Sequence, residues 1–151
     1  MKTIKLLHGQ ECMVDDEDFE TYSGLKWSMS NSGYAQNNKR YMHRMITSAP
    51  KGMQVDHING NKLDNQKENL RVCTRSQNTA NRKKQPNNTS GYKGVVWDTY
   101  TNRWCARIQI NSKHINLGRF DYPKDAALIY DDAAEKYFGE YAITNRSLGL
   151  L

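Results

Sequence analysis

In the first half of the chain, apolar residues fall in short clusters between turn-forming ones, the pattern of small β elements. Residues 22–34 set aromatic side chains around Ser23-Gly24 and Asn31-Ser32-Gly33, and residues 40–46 follow as a further β segment. Residues 53–58 predict a short strand, with Asn59-Gly60-Asn61 as a turn after it. Beyond a polar loop, residues 70–73 predict a second strand. Thr74-Arg75-Ser76-Gln77 has the Thr-x-x-Gln capping-box pattern, so a helix should begin near Arg75 and run towards Lys84.

The segment 82–91 (RKKQPNNTSG) has no apolar residue and contains both proline and glycine, so it reads as a linker. After it, residues 92–97, 103–110 and 114–120 read as three strands, with turns at 98–102 and 111–113. In the second strand, Trp104, Ala106, Ile108 and Ile110 share one face; Arg103, Cys105, Arg107 and Gln109 share the other. A helix is predicted from Pro123 to Phe138, with Gly139 placed to stop it. Ala126, Ala127, Tyr130, Ala133, Ala134, Tyr137 and Phe138 form its apolar stripe, with Asp131, Asp132 and Glu135 off it. The expectation is a three-stranded antiparallel sheet packed on one helix. Its open face would carry Arg103, Arg107 and Gln109, joined by His114 and Asn116 if the third strand keeps phase. Lys93, Val95 and Trp97 would join them if the first strand does too. Such a face suits a DNA groove. Trp104 is assigned to the core; Trp97 is open between a nucleic-acid contact and packing.

Charge sharpens this picture. The 151 residues carry a net charge of +6, unevenly spread: 21–84 and 85–120 are basic, whereas 1–20 and 121–151 are acidic. Two basic stretches, each beside an acidic one, fit polyanion binding, with solubility charge as the alternative. The length allows one ordinary domain or two small ones. No apolar run approaches the roughly 20 residues of a membrane-spanning helix, so no membrane association is expected. Nor does the opening stretch have the long apolar region of a secretory signal. The 3 cysteines, Cys12, Cys73 and Cys105, are far apart with no CxxC, which excludes a disulfide framework or a cysteine zinc site and fits a reducing cytoplasm.

The chemically informative residues are an Asp56-His57 pair ending a predicted strand, Asn69 twelve residues after the histidine, and Asn78 twenty-one after it, one turn into a predicted helix. Phosphodiester hydrolysis needs a base for water and a cation to stabilise the charge on the phosphate and the leaving oxygen. Imidazole suits the base near neutrality, and carboxylate and amide oxygens suit Mg²⁺. Spacing alone leaves open a loop-rich hairpin that happens to be polar.

The segment VDHINGNKLDNQKENLRVCTRSQNTANRK resembles the HNH endonuclease signature in the form found in phage and intron-encoded homing endonucleases. The stretch 18–44, with Lys26-Trp27, Gly33-Tyr34 and His43-Arg44, resembles the leader of such proteins. The resemblance implies a ββα-metal module with His57 as general base, Asp56 and Asn78 as metal ligands, and Asn69 bracing the loop that sets the His57 ring. Asn78 stands where many members have histidine, which favours a hard ion, Mg²⁺ or alternatively Mn²⁺, over Zn²⁺ or Ni²⁺. Asn81 and Arg82 are open between reaching the metal or phosphate and a helix-surface role. Arg44 is open between phosphate contact and ion pairing, and His43 is read as structural.

The second half, through Tyr92-Lys-Gly-Val95, Trp104-x-Ala-x-Ile108, Leu117-Gly-x-Phe120, Ala126-Ala-x-x-Tyr-Asp-x-Ala-Ala134 and Asn145, resembles the Apetala-two or ethylene-response-factor DNA-binding domain. That likeness implies a sheet in the major groove backed by the helix. Of the family's arginine-rich first strand only Lys93 remains, followed by Val95 and Val96.

The expected fold is α+β: an endonuclease domain over 1–84 (core 53–84), a linker over 85–90 and a DNA-binding domain over 91–147. The expected function is metal-dependent cleavage of duplex DNA by a phage or intron-associated homing endonuclease. It would act as a monomer or transient dimer in the cytoplasm of an infected bacterial host. The alternatives are a non-catalytic sequence-specific DNA-binding regulator and, with no RNA-module signature, a structure-specific RNA- or junction-binding protein.

Overall fold

The computed structural model describes residues 1–82, 84 and 86–151. By packing, the chain divides into Met1–Thr74 and Arg75–Leu151.

The first unit begins with a hairpin of β1 (Lys2–Lys5) and β2 (Glu11–Val14), paired antiparallel. Its inward residues Ile4, Cys12 and Val14 are buried. Helix α1 (Asp16–Tyr22) follows, with Asp16, Glu17 and Asp18 in the first turn, where carboxylates face the positive end of the helix dipole. Strands β3 (Ser28–Met29), β4 (Ala35–Asn37) and β5 (Arg40–Tyr41) form a small antiparallel sheet. Asn38 and Lys39, both at positive φ, make the two-residue turn between β4 and β5.

Residues 40–46, expected as a β segment, instead leave β5 for helix α2 (Met42–Thr47). Met42, Met45 and Ile46 lie at helical spacing and turn into the same core as Trp27, Leu6 and Ala35. A six-residue helix is too short for its period to stand out against strand alternation. Strands β6 (Gln54–His57) and β7 (Leu70–Cys73) pair antiparallel, with Asp56 opposite Arg71 and His57 opposite Leu70. The long loop between them is laced onto β2, since Met13 N donates to Leu63 O and Asn65 N donates to Met13 O, both at 2.8 Å.

The second unit opens with helix α3 (Arg75–Ala80), which begins where the capping pattern places it but ends short of Lys84. Lys83 and Gln85, in the predicted helix end and linker, lie outside the described residues. The end of that linker is tied down: Asn88 Nδ2 donates to Tyr92 O at 2.8 Å and Ser90 Oγ to Val95 O at 2.9 Å. Strands β8 (Val95–Asp98), β9 (Arg103–Ile110) and β10 (Lys113–Phe120) form an antiparallel sheet with β9 central, and α4 (Pro123–Phe138) packs on it.

Two features of this unit depart from the sequence reading. Asp131 is fully buried, not off the stripe, because it lies four residues after Ala127 and three before Ala134. Its carboxylate accepts from Asn145 N at 2.8 Å, Asn145 Nδ2 at 2.9 Å and Arg146 N at 2.9 Å, tying the C-terminal segment to the helix. Tyr137, placed on the stripe, is 48% exposed. Gly94, at φ 76°, lies against Tyr130 so closely that a Cβ would sit 1.9 Å from its Cδ2. Among the described residues, no helix is long and apolar enough to cross a membrane.

Candidate functional site

The chemistry of the first unit gathers at the end of β6. Asp56 and His57 are successive residues of that strand, and both are buried. Asp56 Oδ2 accepts from Arg71 Nε and pairs with Arg71 Nη2, each at 2.9 Å, so the guanidinium opposite in the ladder neutralises the carboxylate. His57 Nε2 lies 3.2 Å from Asn65 Oδ1. Burial pushes the His57 imidazole below its ordinary range, while the Asn65 bond and the Asp56 and Asp64 charges pull the other way and Lys62 adds to the lowering.

Asn69 closes the loop at both ends. Its Oδ1 accepts from Asn59 N at 2.9 Å, its Nδ2 donates to Asp64 O at 2.8 Å, and its own carbonyl accepts from Ile58 N at 2.9 Å. Within the loop, Asn59 Nδ2 donates to Asp64 Oδ2 at 2.7 Å, and Asn59 Oδ1 accepts from Asn61 N at 2.8 Å. Three of these bonds join side chain to backbone and replace ladder bonds that the irregular chain lacks.

A ring cluster backs His57. The His43 and His57 centroids are 5.2 Å apart, edge to face, while Tyr34 lies 4.8 Å from His43 and Tyr41 stacks on it at 5.4 Å. His43 Nδ1 is buried with no hydrogen-bond partner among the described residues. Its pKa falls to about 4, first through burial and then through His57 and Arg44. Sequence reasoning treated His43 as a lone strand histidine; it is a helix residue packed on the proposed base. Arg44 is engaged within the first unit. Its guanidinium donates to Met53 O at 2.8 Å, Ala49 O at 3.1 Å and Pro50 O at 3.2 Å, which clamps the turn leading into β6.

Asn65 was missed altogether. It is fully buried, and its only sequence signal is an amide inside a polar loop. The donors assigned to metal binding, the Asp56 carboxylate and the Asn78 amide, are hard oxygen ligands suited to Mg²⁺. Asp56 supplies one such acid, buried, with its Oδ2 bonded to Arg71. Asn78 lies on α3 in the second unit, with Asn81 just past that helix's end.

In the second unit, register decides which side chains share a face. His114 pairs with Gln109 and Asn116 with Arg107, so these four lie on one side, together with Arg103. All five are exposed. Arg103 pairs with Asp121 at 3.0 Å, and Asn116 Oδ1 accepts from Gly118 N at 3.0 Å. Between Asn116 and Gly118 the register shifts by a bulge, which turns Phe120 inward opposite Trp104 and Arg119 outward opposite Cys105. Arg119, ion-paired to Asp98 at 2.8 Å, therefore joins the cationic face, where unbroken alternation would not place it.

The first strand does not keep the expected phase. Val95 pairs with Ala106 and Trp97 with Trp104, so both lie on the helix side, and Val96 and Asp98 take the open side. The Trp97 and Trp104 rings meet edge to face at 4.9 Å, giving Trp97 a packing role. Lys93 precedes the strand and turns inward. Its Nζ donates to Ala80 O at 2.6 Å and Ile143 O at 2.8 Å, and burial lowers its pKa to about 8 despite Asp131. Arg82, Arg107, Gln109 and His114 line one cavity of about 400 Å³ in this unit.

Two families match separate stretches of the chain. The family described as HNH endonuclease matches residues 40–80, and the AP2 domain matches residues 90–140. An uncharacterized HNH endonuclease of Acanthamoeba polyphaga mimivirus is 31% identical over 147 residues, spanning 91% of this chain and 76% of the relative. Protein 3.8 of Escherichia phage T7 is 34% identical over 93 residues, 62% of this chain and 76% of its own. An ethylene-responsive transcription factor of Arabidopsis thaliana is 40% identical over 58 residues, 37% of this chain and 14% of the factor. No solved structure matches significantly.

Proposed function

The chain belongs to the HNH endonuclease family, and from that membership we propose a metal-dependent DNA endonuclease of the phage homing type, with His57 as its general base. The protein is an HNH-family DNA endonuclease that also carries an AP2 domain. The environment of His57 supports its role as base. His57 is a buried imidazole kept below its ordinary pKa, hence neutral at pH 7, beside a carboxylate that a guanidinium fixes in place. A neutral imidazole can take a proton from water; a protonated one cannot.

In this reading His57 accepts the proton of the attacking water, and Asn69 keeps the loop folded around it. Asp56 and Asn78 are the ligands that the family signature assigns, with Mg²⁺ as the ion and Mn²⁺ as the alternative. When bound, the cation stabilises charge on the phosphate and the leaving oxygen. Arg103, Arg107, Gln109, His114 and Asn116 would hold duplex DNA, with Arg119 added, Arg82 at the rim of their cavity, and Lys93 and Trp97 omitted. The working domains are taken as 1–84 and 91–147, in a monomer or transient dimer acting in the cytoplasm of an infected bacterium.

Supercoiled plasmid with Mg²⁺ tests the proposal. Conversion to nicked or linear DNA that EDTA abolishes is the expected outcome. Stable DNA binding with no cutting under any divalent ion would leave a regulator instead.

A further inference from the structure

The way Asn65 is held fixes which of its ends faces His57. Its side chain bridges two groups: Nδ2 donates to Cys12 Sγ at 2.8 Å, and Oδ1 faces His57 Nε2 at 3.2 Å. Its main chain is pinned by the bond from Asn65 N to Met13 O. The amide is fully buried, out of contact with bulk solvent. Cys12 is fully buried too, and burial pushes its thiol up to about 11, so it stays protonated. That hydrogen has two acceptors in reach, Met42 Sδ at 3.3 Å and Met13 O at 3.9 Å, and either leaves the sulfur to accept from Asn65. The amide oxygen, an acceptor only, therefore meets the imidazole, and Nε2 must be the donor.

We propose that Asn65 is a positioning residue that, locked by Cys12 of the N-terminal hairpin, holds the His57 ring with its proton on Nε2 and its basic lone pair on Nδ1. This rests on His57 being the general base. In effect the β1–β2 hairpin orients the imidazole of a strand far along the chain, as partners of the non-reacting nitrogen do in other histidine sites. Asn69, by contrast, acts on the loop backbone and touches no ring atom of His57 in the bonds described above.

The first arm of the test uses the full chain without metal or DNA, at a pH where His57 is neutral. Long-range ¹H–¹⁵N spectra of the ring nitrogens, assigned with His57→Gln, should find His57 protonated at Nε2, with a slowly exchanging proton. A ring protonated at Nδ1 would overturn the proposal and leave His57 as base by another nitrogen.

The second arm compares variants. Asn65→Leu should lose the slow Nε2 proton and slow single-turnover cleavage with Mg²⁺ on the order of 10–100-fold, with the Kd for DNA unchanged. Asn65→Asp keeps an acceptor oxygen and should recover the proton and most of the rate. Wild-type cleavage by Asn65→Leu, or an Asn65→Asp protein no better than it, would overturn the proposal. Should Asn65→Leu fail to fold, the wild-type ring spectra decide. A His57→Ala protein that cleaves normally would sink the general-base reading instead.

Discussion

Arg71 places Nε and Nη2 on the same oxygen of Asp56, each at 2.9 Å, across one rung of the β6–β7 ladder. Both side chains are largely buried, at 14% and 6% exposure. A carboxylate this enclosed needs a counter-charge, and without a metal ion Arg71 provides it.

Arg71→Met should therefore cost about 3–5 kcal/mol of stability in metal-free protein, the penalty for removing one member of a buried ion pair. Mg²⁺ should restore part of it by binding the folded state only. Chemical denaturation with and without Mg²⁺ checks both statements. An unchanged midpoint in metal-free Arg71→Met would mean that Asp56 does not depend on Arg71.

His43 bears on acid stability. Its folded pKa, near 4, lies below the ordinary 6.5, so the unfolded chain takes up a proton that the native state refuses. Stability from this group is intact above about pH 6.5 and falls as the pH drops towards 4. His43→Gln should flatten that decline, while His57, lowered in the same direction, keeps some of it. Denaturation midpoints measured from pH 7 to pH 4 give the slopes to compare; identical slopes would count against a buried neutral His43.

The sheet face makes a separate prediction. Arg107, exposed and central on β9, should cost about 1–3 kcal/mol of DNA affinity when changed to alanine, if it reads a base edge. Lys93→Met should leave DNA affinity unchanged, because that ammonium is spent on two carbonyls inside the unit. Fluorescence anisotropy at two salt concentrations separates base contacts from phosphate contacts, whose loss would also lower the salt slope. Equal losses for both variants would show that the cationic face is not the contact surface.

Much of this was legible in the sequence where local signals are strong. The capping box placed the start of α3, Pro123 and Gly139 bounded α4, and alternation sorted the faces of β9. Asp56, His57 and Asn69 could be picked out because the signature keeps them in order. What escaped depends on distant partners or broken periods. The β1–β2 hairpin and α1 lie in a polar, acidic stretch with little apolar contrast. α2 is too short for its period to show. The bulge before Gly118 and the phase of β8 are matters of pairing, which no single strand encodes. Asn65 became visible only once Cys12, 53 residues away, was seen to hold it.

As general base, His57 would take the proton in the hydrolytic step. Single-turnover cleavage of plasmid DNA by His57→Ala, with Mg²⁺ and enzyme saturating the DNA, tests it most directly. The expected rate is lower by about 10²–10⁴-fold at unchanged DNA affinity. Cleavage by His57→Ala at the wild-type rate would contradict it.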